Sequence, residues 1–224
     1  MDLSAAPPKL AQFGRAQFDD DFRRKLQALM VWRRDVRRFR TDPLPRGALE
    51  RLIQSACLAP SVGLSQPWRF VVVDDAARRR RVIETFTVCN AAALQAYDED
   101  RQSVYARLKL AGLQEAPCHL ALFADLESET GHGLGRQTMP QTLEYSVVAA
   151  IGNLWLTARA DGIGVGWISI LDPAEVSAAL DVPPSWKLIG YFCLGLPDHD
   201  SDIPELEREG WERRRPWETF VLQR

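Results

Sequence analysis

Between Tyr145 and Ala160 the chain is apolar on nearly every face of a helix, with Val147, Val148, Ile151, Leu154, Trp155 and Leu156 leaving no broad polar stripe for solvent. A helix of that kind is expected to be buried all round. It is too short to span a bilayer and is interrupted by Asn153, Thr157 and Arg159, so the pattern predicts the spine of a core or of a subunit interface. Asp161-Gly162 closes it, glycine being the usual left-handed cap. The β-branched run from Ile163 to Leu171 then predicts a buried strand. In it Gly164 and Gly166 let neighbouring groups approach, and the lone Ser169 requires a hydrogen-bond partner.

The same reading orders the rest of the chain. Phe18 to Trp32 is an amphipathic helix with Asp19, Asp20 and Asp21 at its positive end. Pro43 and Pro45 mark a turn, and the helix Arg46 to Leu58 presents Leu49, Leu52, Ile53 and Ala56 inward. Ala59 to Phe70 is a loop stiffened by Pro60 and Pro67 that passes into a strand, Arg69 to Val73. A helix follows from Ala76 to Ala96, then a charged helical excursion, Tyr97 to Glu115, placed to act as a lid, and a strand, Pro117 to Asp125. The glycine-rich loop Gly131 to Pro140 meets neither the dinucleotide-binding nor the P-loop spacing. Asp172-Pro173 caps a short helix to Leu180, and Lys187 to Leu196 is a strand ended by Pro197. Alternating helices and strands leave the direction of the sheet open, so α/β and α+β both fit.

At 224 residues, 46% hydrophobic and 26% charged, the chain suits one globular domain, residues 18–224, behind a flexible N-terminal arm, residues 1–17. A net charge of -2 argues against nucleic acid as a partner. Cys57, Cys89, Cys118 and Cys193 are widely spaced and the three histidines lack ligand spacing, which suits reduced thiols and no metal. The N-terminus lacks a basic stretch followed by an apolar one, so the expectation is a cytoplasmic protein without membrane attachment.

Candidate chemistry concentrates in Arg33-Arg34-Asp35-Val36-Arg37-Arg38-Phe39. Four arginines around one carboxylate repel one another unless an anion offsets them. In an extended segment Arg33, Asp35 and Arg37 project to one side, where guanidinium forks can grip a phosphate or a polarised ring; a solvated basic loop is the plainer alternative.

Three separated features coincide: that segment, then Ala59-Pro60-Ser61 leading to Gln66-Pro67-Trp68-Arg69-Phe70, then Gly164-Val165-Gly166-Trp167 before Ser169. Together they resemble the flavin-binding nitroreductase family. Gly133-Leu134-Gly135-Arg136 with Thr138-Met139-Pro140, Asp35 and Ser169 resemble its 5,6-dimethylbenzimidazole synthase branch, over nearly the whole chain from Phe18. Leu64 departs from the asparagine many nitroreductases carry in the Pro-Ser loop.

The resemblance implies an α+β (α/β-like) nitroreductase fold, a mixed central β-sheet flanked by helices, in an interlocked homodimer with flavin sites between subunits. It implies FMN contacts at Arg33, Arg34 and Arg37, at Pro60, Ser61 and Val62 from the facing subunit, and at Arg214 among the tail arginines. Reduced FMN is then a substrate, supplied by a separate flavin reductase and fragmented with O2 to 5,6-dimethylbenzimidazole and erythrose 4-phosphate. Asp35 would move protons, its flanking cations keeping it ionised, and Ser169 would orient groups at the ring without adding charge. A flavin-recycling NAD(P)H nitroreductase and a flavin-binding module without turnover are the rival expectations.

Overall fold

Strand β2, Cys118–Asp125, is buried along almost its whole length, because it is paired on both edges and covered on both faces. The computed structural model describes residues 18–224; the expected N-terminal arm lies outside them. β2 pairs with β1 (Trp68–Val72) on one side and β4 (Trp186–Gly195) on the other, and β4 pairs with β3 (Gly164–Ile168), giving the order β1-β2-β4-β3. All three ladders are antiparallel. The parallel part of the expected mixed sheet is one isolated bridge, Asp35 to Val165, where the arginine segment runs alongside β3.

Alternate residues of the strands face opposite layers. Leu120, Leu122, Phe192 and Leu194 meet α2 (Ala48–Ala56) and α5 (Thr142–Ala160) on one face. Ala121, Phe123, Tyr191 and Cys193 meet α3 (Ala76–Gln95) and α6 (Pro173–Leu180) on the other. An antiparallel sheet between helix layers settles the class as α+β. Aspartates start several of the helices: Asp19 caps α1 (Asp20–Trp32), Asp75 caps α3, Asp98 caps α4 (Glu99–Tyr105) and Asp172 caps α6, each accepting a first-turn N–H. α7 is a single turn, Glu205–Arg208. Among the described residues no helix is long and apolar enough to cross a membrane.

Two expectations change. The spine helix α5 buries Leu143, Val147, Ala150, Ile151, Leu154 and Ala158, yet Tyr145 and Val148 stand 57% and 45% exposed. Its inner face meets the sheet and α2, and among the described residues nothing covers the outer strip. The strand after it ends at Ile168, three residues earlier than expected, so Ser169 is exposed instead of buried in an apolar run. β4 takes up an extra residue beside Gly190, where its register with β2 shifts; such a bulge bends a strand away from its neighbour and ends the pairing with β3. The Ser169 hydroxyl is therefore on the surface of the single chain.

The segment Tyr97 to Glu115, expected as a lid, contains α4 and is tied down at several points. Tyr105 is buried, donates to Asn90 Oδ1 at 2.8 Å and packs on Tyr97 and Trp211. Arg101 lies over the Trp211 ring and donates to the Trp211 carbonyl at 2.8 Å.

Candidate functional site

After Trp32 the backbone leaves the helix and Arg33 is extended, with φ -69° and ψ 113°. The segment lies along the free edge of β3, Val36 N–H donating to the Val165 carbonyl at 3.0 Å. Gly166 makes this approach possible, since a Cβ there would lie 2.2 Å from the Val36 carbonyl oxygen. Beyond it Arg40 N–H donates to Leu196 O and Asp198 N–H to Arg38 O, at 2.9 and 3.1 Å. The arginine segment is thus fixed by main-chain bonds on two sides. It is not a solvated loop.

Asp35 sits at the centre. Its Oδ1 accepts the Trp167 backbone N–H at 2.8 Å and its Oδ2 accepts Arg37 Nε at 2.9 Å. Burial raises the carboxyl above the ordinary carboxylate range, opposed by the Arg37 charge, the Trp167 N–H and Arg33. The cations were expected to set the charge of Asp35; instead desolvation outweighs them. The side chain still keeps 31% of its surface accessible, open to the cleft. Arg37, 12% exposed, also donates to the Lys109 carbonyl at 3.2 Å, which ties it to the segment after α4.

Arg33, Arg34, Asp35, Arg37 and Arg214 line one recess of about 130 Å³, closed by Pro204, Glu205 and Leu206. A second, wider recess of about 450 Å³ shares Arg34 and Arg214 and opens between α1 and residues 202–207. Burial lowers the pKa of both Arg33 and Arg34, and Arg214 adds like charge to each. Arg34 Nε is buried without a hydrogen-bond partner among the described residues. Positive charge crowded this way, with donors unused, is an anion site in chemical terms. Of the three tail arginines it is Arg214 that reaches Arg33 and Arg34. Arg38 pairs with Glu205, one of the residues that close this recess.

Pro60, Ser61 and Val62 line neither recess. They belong to a tight loop pinned by Val62 N–H donating to Ser146 Oγ at 3.1 Å and Gln66 N–H to Ser61 Oγ at 3.2 Å. This loop packs backbone to backbone on the glycine-rich loop, where a Cβ at Gly131 would lie 2.4 Å from the Gly63 carbonyl oxygen. Leu64 and Gln66 hold left-handed φ angles of 55° and 46°, a conformation costly for side-chain-bearing residues. Ser146 near the start of α5 and Trp155 near its end are about 14 Å apart along the axis, so one chain carries the two sets at opposite ends of the same helix. Ser169 is exposed two residues beyond Trp167, outside both recesses.

Sequence reasoning missed the supports of the arginines. Trp155 Nε1–H donates to the Arg34 carbonyl at 3.1 Å and its ring carries the Arg33 guanidinium at 4.7 Å. Trp167 lies 6.2 Å from Trp155, ring to ring. Aromatic residues in an apolar helix and strand look like core, and only their spacing from Arg33-Arg34 in three dimensions marks them. Residues 202–207, which wall both recesses, carry no pattern that the sequence reading could use.

The Nitroreductase family profile matches residues 30–196. The chain is 59% identical over 199 residues to a protein of Rhodospirillum rubrum named 5,6-dimethylbenzimidazole synthase, covering 89% of this chain and 94% of that one. A protein of Rhodobacter capsulatus with the same name is 43% identical over 201 residues, 90% of this chain and 97% of its own. Among solved structures, oxidised iodotyrosine deiodinase bound to FMN and 3-iodo-L-tyrosine superposes with a TM-score of 0.64 at 24% identity, over 79% of this chain and 91% of that one. A nitroreductase family protein from Streptococcus pneumoniae gives a TM-score of 0.62 at 20% identity, over 88% and 99%. With the fold, the arginine segment beside β3 and these likenesses in agreement, the chain belongs to the nitroreductase family, in the branch of the 5,6-dimethylbenzimidazole synthases.

Proposed function

We propose that this chain is a 5,6-dimethylbenzimidazole synthase, an oxygen-dependent oxidoreductase that takes reduced FMN as substrate and fragments it to 5,6-dimethylbenzimidazole and erythrose 4-phosphate. The observation that carries the reading is the gathering of Arg33, Arg34, Arg37 and Arg214 around Asp35, in a chain 59% identical to a protein named for that activity.

The residues fit FMN. A phosphate dianion offsets the like charges of Arg33, Arg34 and Arg214, and gives the unpartnered Arg34 Nε an acceptor. When bound, reduced FMN supplies electrons to O2 and the carbon skeleton of the product. The chain's own residues bind, orient and move protons. Arg33, Arg34 and Arg37 hold phosphate and ring, and Arg214 closes on the phosphate. Asp35 is fixed through one hydrogen bond to each oxygen, and each oxygen keeps a further lone pair to receive a proton. Its raised pKa brings the acid form closer to use, and the adjacent Arg37 favours return to the carboxylate. Ser169, exposed two residues beyond Trp167, is a hydroxyl that can donate or accept without adding charge once bound flavin reaches it.

A homodimer completes the site in this reading. α1 has no buried residue, and Phe22, Met30, Val31 and Trp32 are exposed along it, as are Tyr145 and Val148 on α5. Large apolar side chains left in water along two helices that touch one another suit a surface that a second copy covers. A partner covering α5 would bring its Pro60, Ser61 and Val62 loop to the arginines from which one chain holds them apart. One FMN-binding domain over residues 18–224, a cytoplasmic location and a separate reductase that delivers reduced FMN complete the proposal.

The test is to photoreduce FMN anaerobically with the protein, admit air and separate the products. 5,6-Dimethylbenzimidazole is expected. Reoxidised FMN as the sole product would instead make the chain a flavin-recycling nitroreductase or, without any turnover of nicotinamide or nitro compounds, a flavin-binding module.

A further inference from the structure

We infer that Trp155 is a positioning residue of the flavin site: its indole holds Arg33 and Arg34 in place without neutralising them, so that their N–H donors stay free for an incoming phosphate. The inference rests on the flavin reading above and adds a residue to it.

Arg33 and Arg34 lie beside each other and beside Arg214, all of one sign, and burial adds to the cost of keeping them charged. Asp35 offsets part of this at Arg33, and Asp202 and Glu207 at Arg34, through charge alone, so a further contact is needed to fix the two side chains. A carboxylate could do so, but it would occupy the guanidinium N–H groups and compete with the phosphate. An aromatic face attracts a cation through its quadrupole and takes no N–H donor in the guanidinium plane. Trp155 offers that face to Arg33 at 4.7 Å. The same indole anchors the next residue, Nε1–H donating to the Arg34 carbonyl at 3.1 Å. Its ring also packs 6.2 Å from Trp167, whose backbone N–H holds Asp35. One side chain on α5 therefore touches the supports of three residues of the site. Asp35, the carboxylate whose charge acts on Arg33, is bonded to Arg37 and Trp167, which leaves the indole as the direct contact of the Arg33 guanidinium among the described residues.

The test is a double-substitution cycle on the full chain, combining Trp155→Leu with Arg33→Met and reading FMN dissociation from quenching of flavin fluorescence. Trp155→Leu alone is expected to weaken FMN binding about tenfold, and Trp155→Phe, which keeps a ring face and loses the bond to Arg34, about threefold. In the Arg33→Met background Trp155→Leu is expected to cost less than about threefold further, because its main partner is already gone. The same cycle on thermal unfolding without FMN should be non-additive, which a residue that only fills space next to the core would not produce. Equal losses in both backgrounds, with FMN still bound by the unsubstituted protein, would overturn the inference alone. No binding of FMN by the unsubstituted protein would overturn the flavin reading and this inference with it.

Discussion

The Asp35 carboxylate and the Trp167 backbone amide are joined by a 2.8 Å hydrogen bond, so the arginine segment is tied to β3 through a side chain as well as through its main chain. The bond fixes the carboxylate where the charges of Arg37 and Arg33 also act on it. An acid held in that way keeps its geometry when its proton is lost, which suits repeated proton transfer.

Asp35→Asn keeps an acceptor for the Trp167 N–H and removes the group that gains and loses a proton. Formation of 5,6-dimethylbenzimidazole should fall by about a hundredfold or more, while FMN affinity changes less than about threefold. Chromatographic assay of product beside a flavin-binding titration measures both. Unchanged product yield would remove Asp35 from the chemistry.

Arg214 is flanked by two other arginines but alone contributes to the recess with Arg33 and Arg34. Arg214→Ala should weaken FMN binding by roughly tenfold to a hundredfold, the scale of a lost charge-assisted bond. Arg213→Ala and Arg215→Ala should each leave it within about threefold. Riboflavin, which has no phosphate, should bind all these variants alike.

Val148 faces outward from α5 at 45% exposure. A glutamate there costs a monomer little, since a surface substitution is usually within about 0.5 kcal/mol, but would bury a charge in the proposed subunit interface. Val148→Glu should shift sedimentation from dimer to monomer and abolish FMN binding without lowering helix content. A dimer that persists with bound flavin would place the interface elsewhere.

How far the sequence carried this picture differs by element. The arginine segment was legible because alternation in an extended stretch is a local property, and Gly164 and Gly166 announced the close approach that Val36 makes. The helix starts at Asp19 and Asp172 were legible for the same reason, whereas the caps at Asp75 and Asp98 were not read. Ser169 was misread because Ile170 and Leu171 continue the apolar run, whereas pairing depends on β4, whose extra residue beside Gly190 cannot be seen from β3. Arg214 could not be chosen among three adjacent arginines until its distance from Arg33 was known. Trp155 carried no signal for its contact with the arginines, since Arg33 and Arg34 lie more than a hundred residues away in sequence.

His119 gives the fold a pH dependence distinct from that of the site. It is fully buried, with Nδ1 2.9 Å from the Tyr191 hydroxyl, and burial lowers its pKa to about 4, from 6.5. Between those values the unfolded chain binds the extra proton and the folded protein does not, so stability falls as pH drops from about 6.5 to 4. The loss should be on the order of 3 kcal/mol. Denaturant titrations across that range should show it, and the pair His119→Leu with Tyr191→Phe should flatten the slope. A slope unchanged in the double variant would assign the loss to other groups.

The most direct test of the account is a flavin balance in a single exposure to air. Equimolar protein and anaerobically reduced FMN are mixed with oxygenated buffer, and the recovered yellow absorbance is compared with the 5,6-dimethylbenzimidazole formed. The account predicts that the missing flavin matches the benzimidazole mole for mole. Complete return of the oxidised flavin spectrum, with no benzimidazole, would contradict it.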